Sequence, residues 1–246
     1  MLSKAQNKYI RSLSQQKFRK EYNVFTAEGE KIALEWLSSA TPVKMILATA
    51  EWALRYPFPI AAHPEAVLHI VSEDELAAVS SLKTANQVML IIQLPEPGHM
   101  PFVNEWYIAL DDLQDPGNMG TIIRIADWFG IRNIVCSAGC VDAYNPKVVQ
   151  SAMGGHLRVA IHEADLELFL KASPLPKIAA TLDGENVYKT SRAEAGVLII
   201  GNESKGISPR IAAMATQKVM IPRKGGAESL NAGVSAGILC ALLLPC

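Results

Sequence analysis

The stretch that decides the fold lies near the C-terminal end and reads Ile221-Pro222-Arg223-Lys224-Gly225-Gly226-Ala227-Glu228-Ser229-Leu230-Asn231. Pro222 ends the apolar segment before it because its ring fixes φ, and the two glycines allow a tight turn. The long apolar segment at 232–245 has the character of a core helix. Ser229 and Asn231 stand at its start, where polar side chains commonly cap a helix. The stretch therefore predicts a strand, a glycine-rich loop and a helix.

Two earlier runs have the same build, an apolar strand followed by small and polar residues. The first run is Asp115-Pro116-Gly117-Asn118-Met119-Gly120-Thr121-Ile122-Ile123-Arg124, in which Asn118 is placed to cap a helix. The planar fork of Arg124 suits a bidentate contact with phosphate, and the free N–H groups of a helix start also attract phosphate. A helix cap and a surface arginine without any ligand explain this run equally well.

The second run is Leu198-Ile199-Ile200-Gly201-Asn202-Glu203-Ser204-Lys205-Gly206-Ile207-Ser208. Gly201 would let a flat ligand approach the backbone closely. The Glu203 carboxylate, at the end of a strand, would bind a hydroxyl, an ammonium group or an arginine. A polar turn with a helix cap at Ser208 is the alternative interpretation.

The composition limits the class of protein. Of 246 residues, 50% are hydrophobic and 19% are charged, so the chain can bury a large core and is not expected to be disordered. A net charge of −1 argues against a surface coated with positive charge, while a local basic patch stays open. No metal site is expected, since the cysteines form no CxxC pair. The polar start and the shortness of the apolar segments predict a soluble, cytoplasmic protein.

Helix and strand patterns alternate along the whole chain. In the first part, helices are predicted at 4–20, 28–37 and 72–82 and strands at 43–48, 66–71 and 88–94. In the second part, strands are predicted at 106–110, 133–136, 177–181, 197–200 and 218–221 and helices at 118–129, 145–153 and 230–243. Apolar strands separated by helices favour a parallel sheet covered on both faces, with ligands beyond the carboxyl ends of the strands. A proline-rich segment predicts two domains, 1–95 and 105–246, joined by a linker at 96–104.

The three runs, in this order, resemble those of the SpoU (TrmH-like) RNA 2′-O-ribose methyltransferases of the SPOUT superfamily. The residues that match the family pattern are Asn118, Gly120, Arg124, Ala126, Phe129 and Gly130, and then the tripeptide Ser229, Leu230 and Asn231. Two positions depart from it, because Ser204 stands where the family usually has glycine and Gln150 where it often carries arginine. The resemblance implies an α/β fold of the SPOUT α/β-knot type, a parallel sheet with a C-terminal trefoil knot. It also implies a homodimer formed through the C-terminal domain.

The resemblance further implies S-adenosylmethionine as the cofactor and a ribose 2′-hydroxyl of ribosomal or transfer RNA as the methyl acceptor, with ribosomal RNA slightly favoured. The residues implied for catalysis are Arg124, Asn118, Glu203, Ser229 and Asn231. Those implied for cofactor binding are Thr181, Gly201, Asn202, Ile221, Pro222, Leu230 and Asn231. Arg124 stays protonated, so we expect it to hold the adjacent phosphate and position the 2′-hydroxyl. Glu203, Ser229 and Asn231 would support Arg124 and the ribose, and Asn118 would shape the RNA site.

Segments at 8–13, 17–21 and 25–29 resemble the L30e-like substrate-binding domain, a small α/β domain often fused to these enzymes. The RNA-binding residues implied by both resemblances are Lys8, Arg11, Lys17, Arg19, Lys20 and Arg124. For any one of the basic side chains near the start, a solvated helix face is an equally good explanation.

Two other classes of protein compete with a methyltransferase. The first is a non-catalytic RNA-binding or ribosome-assembly protein that kept the fold, although such a protein would not need all five implied catalytic residues. The second is an unrelated nucleotide-binding α/β enzyme. Such an enzyme would be expected to show a P-loop or a GxGxxG motif after its first strand, and the sequence has neither.

Overall fold

The computed structural model describes residues 2–82, 86–96, 100 and 103–245. The helices are α1 Lys4–Ser12, α2 Gln16–Tyr22, α3 Glu30–Leu37, α4 Ala50–Arg55, α5 Pro57–Ala61, α6 Glu73–Val79, α7 Pro116–Trp128, α8 Pro146–Ala152, α9 Leu166–Ala172, α10 Pro209–Ala212 and α11 Ala232–Leu243. The strands are β1 Val24–Glu28, β2 Val43–Ala48, β3 Val67–Ile70, β4 Val88–Gln93, β5 Trp106–Asp111, β6 Asn133–Cys136, β7 Ala160–Glu163, β8 Lys177–Asn186, β9 Gly196–Gly201 and β10 Gln217–Met220.

The chain divides into two compact units. The first contains Met1–Glu96 together with Asp142–Leu157, and the second contains Pro97–Val141 together with Arg158–Cys246. Helix α8 therefore belongs to the first unit, although it follows strand β6 of the second unit in sequence. Most of the predicted linker at 96–104 lies outside the described residues, and the predicted domain boundaries stay predictions.

The first unit is built on a four-stranded sheet with the order β1-β4-β2-β3. Strand β4 runs antiparallel to both of its neighbours, and β2 and β3 are parallel. The basic region at 4–20 forms two helices, because the backbone at Gln15 is extended and interrupts the helical run. Helix α6 begins at a capping box, in which Ser72 and Glu75 each accept the backbone N–H of the other. Val149 of α8 packs in the same core as Phe25 of β1.

The second unit is built on a six-stranded sheet with the order β10-β8-β9-β5-β6-β7, in which every neighbouring pair is parallel. The central strands β5 and β9 are buried along almost their whole length. Burial on both faces explains why these strands are continuous apolar runs rather than alternating ones. The predicted parallel sheet is confirmed.

Helix α7 begins earlier than the sequence predicts. Asp115 caps it by accepting the Asn118 N–H at 2.7 Å, and Pro116 occupies the first helical position. The prediction that Asn118 caps this helix is wrong, because proline fits the first turn without losing a hydrogen bond and moves the cap to the residue before it. Asn118 instead lies in the first turn, with its side chain buried.

In the second unit, strand β7 and helix α9 are absent from the prediction, and α10 is anticipated only by the alternative helix cap at Ser208. Strand β7 lies at the edge of the sheet, and its residues are only half-buried or exposed, so its apolar pattern is weak. Helix α9 is capped by Asp165 and buries Leu166, Phe169 and Leu170. Among the described residues, no helix has both the length and the apolar character that a membrane span needs.

Candidate active site

The first two polar runs meet at the carboxyl edge of the parallel sheet. Strands β5 and β9 are neighbours, and the last residues of the two strands, Asp111 and Gly201, are paired. The loops that follow them, 112–115 and 202–206, consequently leave the sheet side by side. This is the edge at which ligands bind in open parallel sheets.

Glu203 lies at the centre of the contact between these loops. One carboxylate oxygen accepts the Asp115 N–H at 3.0 Å and an N–H of the Asn118 side chain at 2.9 Å, and the other accepts the Gln114 N–H at 3.3 Å. Partial burial raises the pKa of Glu203, but these hydrogen bonds outweigh burial and lower the pKa below its ordinary value. Glu203 is therefore held as a carboxylate.

Asn118 connects Glu203 to the third polar run. Its side-chain oxygen accepts an N–H from the Asn231 amide at 2.6 Å, while its own N–H group donates to Glu203. The side-chain oxygen of Asn231 accepts the Val234 N–H at 3.1 Å and so caps α11. Asn231 thus caps a helix and also belongs to a polar cluster of three residues, Asn118, Glu203 and Asn231. Asn118, Glu203 and Asn231, which the sequence places far apart, form one chain of hydrogen bonds.

Arg124 and Ser229 stand outside this chain. Both side chains are exposed, and neither makes a hydrogen bond or an ion pair within the part of the chain that the structure describes. The expected hydrogen bonds from Glu203, Ser229 and Asn231 to Arg124 are not present. Arg124 lies on α7 one turn beyond Thr121, and the Thr121 side chain packs against Gly233 of α11. Among the described residues the guanidinium is therefore unpaired, and its helix is packed against α11 one turn earlier, at Thr121.

Gly201 is needed for a reason other than the one the sequence suggests. A Cβ at this position would lie 2.2 Å from the carbonyl carbon of Gly206 and 2.3 Å from the Ile207 nitrogen. The returning loop, rather than a ligand, therefore occupies the space next to Gly201. Asn202 closes this loop, because its side-chain oxygen accepts the N–H groups of Ser204 and Lys205 and its side-chain N–H donates to the Asp112 carbonyl.

Of the other residues predicted for the cofactor, Thr181 lies in β8, Ile221 and Pro222 follow β10, and Leu230 precedes α11. The Thr181 hydroxyl is buried without a hydrogen-bond partner among the described residues. Ile221 and Pro222 are half-buried, whereas Leu230 is 49% exposed. A buried hydroxyl without a partner among the described residues suits a polar group of a ligand, and partly exposed apolar side chains suit an apolar face.

The basic residues predicted for RNA binding lie in the first unit, apart from Arg124. Lys8 and Arg11 line a shallow cavity of about 380 Å³ together with Lys4 and Asn7. These positions share one face of α1 because they recur at helical spacing. Lys17 lies over the ring of Phe18, 5.7 Å from its centroid, and Lys20 is exposed.

Arg19 is a correction to the predicted RNA-binding set. Its side chain is only 2% exposed, and its guanidinium pairs with Asp142 and donates to the Leu13 carbonyl at 2.7 Å. An arginine buried in an ion pair presents no surface to a phosphate, and removing one partner of such a pair is strongly destabilising. Arg19 is thus part of the packing of the first unit.

Several residues that hold the site were missed by the sequence reasoning. Backbone N–H groups of Gln114 and Asp115 bind Glu203, and backbone groups leave no mark in a sequence. Asp115 could have been recognised as the helix cap, since an Asp-Pro pair before an apolar periodic segment is a helix-start signal. Asp112 and Ser137, whose contacts are described below, carry no such signal.

A parallel sheet with a fixed polar cluster at its carboxyl edge defines an α/β domain built to hold a ligand there. Known proteins with this build identify the family. Residues 105–241 match the SpoU rRNA methylase family and residues 4–90 match the MRM3-like substrate binding domain. The chain belongs to the SpoU rRNA methylase family.

Similar proteins cover almost the whole chain. The 23S rRNA (guanosine(2553)-2′-O)-methyltransferase RlmP of Bacillus subtilis is 32% identical over 233 residues, which are 93% of this chain and 92% of that protein. A TrmH-family structure from Porphyromonas gingivalis is 34% identical, with a TM-score of 0.88 over 99% of this chain and 98% of that one. The AdoMet-bound rRNA methyltransferase of Sinorhizobium meliloti is 28% identical, with a TM-score of 0.85 over 98% of this chain and 94% of that one.

Proposed function

We propose that this protein is an RNA 2′-O-ribose methyltransferase that uses S-adenosylmethionine and acts on ribosomal RNA. One observation carries the proposal, namely that Asn118, Glu203 and Asn231 come from three separate runs and join in one chain of hydrogen bonds. The similar proteins support the substrate and the cofactor, because RlmP is named as a 23S rRNA 2′-O-methyltransferase and the Sinorhizobium meliloti enzyme binds AdoMet.

The residues near the ends of β8, β9 and β10 fit the cofactor. The buried, unpaired hydroxyl of Thr181 offers a polar contact, and Ile221, Pro222 and Leu230 offer apolar surface for adenine. Gly201 and Asn202 contribute by holding their own loop in shape. The loop fills the space beside Gly201, and the Asn202 side chain forms hydrogen bonds with backbone groups. S-adenosylmethionine supplies a methyl group that its sulfonium already activates.

Glu203, which belongs to the hydrogen-bonded chain, and Arg124 and Ser229, which lie outside it, have different roles in the transfer. Arg124, exposed and free of ion pairs among the described residues, holds the phosphate next to the target ribose and orients the 2′-hydroxyl. Ser229, also exposed, is available to the ribose. Glu203 accepts three N–H donors, so its role is to fix Asn118 and the loop at 112–115 rather than to take the proton.

The basic face of α1 is proposed as an RNA-binding surface of the first unit. Lys4, Lys8 and Arg11 line one shallow cavity, and Lys17 and Lys20 follow on α2. Clustered lysine and arginine side chains bind the phosphate backbone through charge, so their contribution should fall as salt rises. Lys4 is added to the proposed RNA-binding residues because it lines the same cavity, and Arg19 is removed from them because it is buried.

The finer features of the family are proposed as well. A trefoil knot is proposed from the family, and the chain is tightly packed between β8 and β10, where a Cβ at Gly184 would lie 2.6 Å from backbone atoms of Val219. The β8–β10 pairing also jumps at this point, from Lys218 opposite Ala179 to Val219 opposite Glu185. An experimental chain trace that does not thread through itself would overturn the knot.

A homodimer is supported by exposed apolar side chains on α7 and α11, where Trp128 is 84% exposed and Val234 is 50% exposed. Sedimentation that finds only monomers at micromolar concentration would overturn it.

We also propose that the enzyme works in the cytoplasm, where ribosomal RNA is found and the free thiols of Cys136 and Cys240 stay reduced.

Calorimetric titration with S-adenosylmethionine and S-adenosylhomocysteine is the first test of the proposal. Binding near one site per chain is expected, followed by methyl transfer to ribosomal RNA at one ribose that can be mapped by sequencing. A folded protein that binds neither compound, with or without RNA, would favour the non-catalytic RNA-binding alternative. Transfer to transfer RNA in place of ribosomal RNA would overturn the substrate.

The role of Arg124 has its own test. Arg124→Ala is expected to lower the rate of methyl transfer at least about a hundredfold, the usual effect of losing one charged contact in a reaction site. The affinity for S-adenosylmethionine should change less than about twofold, because Arg124 is assigned to the RNA. Arg210→Ala is the matched control, since Arg210 is also an exposed arginine and is paired with Glu167 away from the cluster. Equal transfer rates in the two variants would remove the assignment.

A further inference from the structure

Asp112 adopts a backbone conformation that non-glycine residues seldom take. It follows strand β5 directly, and its φ is 58°. Such left-handed residues persist only where their surroundings hold them in place, and they gather at functional sites. The loop that leads from Asp112 to the cluster therefore starts from a bend that other groups must maintain.

Three contacts hold this bend. The Asp112 N–H donates to the Ser137 hydroxyl at 2.9 Å, and the Asp112 carbonyl accepts a side-chain N–H of Asn202 at 2.8 Å. Gly139 lies against the Asp112 carboxylate so closely that a Cβ on it would be 2.2 Å from a carboxylate oxygen. Ser137 and Gly139 belong to one turn after β6, whose ends are joined by the hydrogen bond from the Cys140 N–H to the Ser137 carbonyl.

The bend sets the direction of the donors that hold Glu203. Gln114 and Asp115 follow Asp112 by two and three residues, and both backbone N–H groups point at the Glu203 carboxylate. Asp115 also caps α7 at Asn118, whose side chain binds Glu203. A rotation at Asp112 would be passed on to these donors, because the intervening Leu113 is buried and its carbonyl is held by the Val141 N–H.

We propose that Ser137 is a positioning residue for the methyl-transfer site, which acts through Asp112 to aim the N–H groups of Gln114 and Asp115 at Glu203. Ser137 does not touch the reacting atoms. Its hydroxyl fixes the one conformation of Asp112 that lets the loop after β5 meet the loop after β9. The assignment to methyl transfer rests on the proposed function, whereas the geometric part can be measured without any RNA.

The test compares three variants of the full-length protein. Ser137→Ala removes the hydroxyl, Ser137→Thr keeps one, and Ser173→Ala is the matched control. Ser173 is buried, and its hydroxyl accepts the Leu175 N–H before strand β8, at the end of the sheet away from the cluster. The readouts are the pKa of Glu203, followed by NMR titration of its ¹³C-labelled carboxyl, and the kcat and KM of methyl transfer.

In Ser137→Ala the pKa of Glu203 should rise toward its ordinary value of 4.5, because its N–H donors turn away. The kcat should fall about tenfold, the equivalent of one lost hydrogen bond, with KM for S-adenosylmethionine changed less than about twofold. Ser137→Thr should keep both the lowered pKa and the kcat. Ser173→Ala should lose stability without moving either readout.

Two results would overturn the proposal. The first is an unchanged Glu203 pKa in a folded Ser137→Ala protein, which would show that Ser137 does not set the donors. The second is a Ser137→Thr protein that loses as much kcat as Ser137→Ala, since the hydroxyl would then be irrelevant. A wild-type protein that methylates no RNA, together with a shifted pKa in Ser137→Ala, would instead overturn the proposed function and leave the positioning geometry intact.

Discussion

The loop at 201–206 and the loop at 223–230 both carry predicted site residues, yet they are held very differently. In the first loop, Asn202 and Gly206 pair through their backbones, and Asn202 and Glu203 bind six N–H or carbonyl groups through their side chains. In the second loop every residue is exposed, and the described hydrogen bond within it runs from Arg223 to the Ala227 carbonyl. The first loop is held in shape by bonds within the protein, whereas the second has few such bonds, so we expect it to adapt to a ligand.

The glycines of the two loops differ in the same way. A Cβ at Gly201 would collide with the backbone of Gly206, whereas a Cβ at Gly225 or Gly226 would meet nothing within 4 Å. Close packing requires glycine at position 201, whereas Gly225 and Gly226 have room for a side chain. A preorganised frame with one adaptable loop suits an enzyme that must admit a cofactor and a large RNA in turn.

The largest expected effect breaks the tight loop. Gly201→Ala should lower the free energy of unfolding by about 3 kcal/mol, because the added methyl group must displace backbone rather than a mobile side chain. Gly225→Ala should change it by less than about 0.5 kcal/mol, since the methyl group would point into open space. Urea denaturation of both variants measures the difference. Similar losses in the two proteins would mean that the loops are equally constrained.

The next prediction compares the two polar residues of the Ser-Leu-Asn tripeptide, Ser229 and Asn231. Asn231→Ala removes the cap of α11 and the hydrogen bond to Asn118, which together should cost about 2 kcal/mol of stability. Ser229→Ala should cost less than about 0.5 kcal/mol, because Ser229 makes no hydrogen bond with any other described residue. Thermal unfolding of the two variants checks this prediction. A stability loss in Ser229→Ala as large as that in Asn231→Ala would contradict it.

Limited proteolysis compares the two loops directly. Trypsin should cut after Arg223 and Lys224 at least about tenfold faster than after Lys205, because an exposed loop with few hydrogen bonds opens more readily. S-adenosylmethionine should slow the cuts at Arg223 and Lys224. Asn202→Ala should speed the cut after Lys205, whose N–H the Asn202 side chain binds. Faster cutting at Lys205 in the unaltered protein would reverse the assignment of the fixed and the free loop.

The smallest expected effect is the loss of stability at low pH when Glu203 becomes protonated. The pKa of Glu203 is lower in the folded protein than its ordinary value of 4.5, so the carboxylate stabilises the fold above about pH 4.5 and this stability is lost as pH falls through the folded pKa. The contribution is small because the side chain is exposed. Unfolding of wild type and Glu203→Gln between about pH 3 and pH 7 should give curves that converge only at the acid end. A constant difference across this range would exclude the titration of Glu203 as its cause.

Much of the fold could be predicted because it depends on local pattern. Strands β2 and β6 have the predicted bounds, β5 differs from prediction by one residue at one end, and β9 and β10 differ by one residue at each end. Their apolar runs are bounded by polar or small residues, which makes them recognisable. The half-buried edge strand β7 lacks such a pattern and was missed. The start of α7 was misplaced because two residues, Asp115 and Asn118, could each serve as the cap.

The sequence indicated which residues form the site but not which groups they bind. Asn118, Glu203 and Asn231 could be named because the three runs resemble those of the SpoU family. Their hydrogen-bond partners could not be named, because Gln114 and Asp115 act through backbone N–H groups. The misassigned Arg19 shows the same limit, since its charge is visible in the sequence and its burial against Asp142 is not.

The sequence by itself determined the alternation of strands and helices and the parallel sheet, because periodicity and residue type are local properties. The members of the polar cluster came from its resemblance to the SpoU family. Only the tertiary structure decided which loop is fixed and which is free, why Gly201 must be glycine, and which arginine is buried and which faces solvent. Those properties depend on what the chain brings next to each residue from positions tens of residues away. Side-chain hydrogen bonds, close backbone approach and burial exist only once the sheet has placed these loops together.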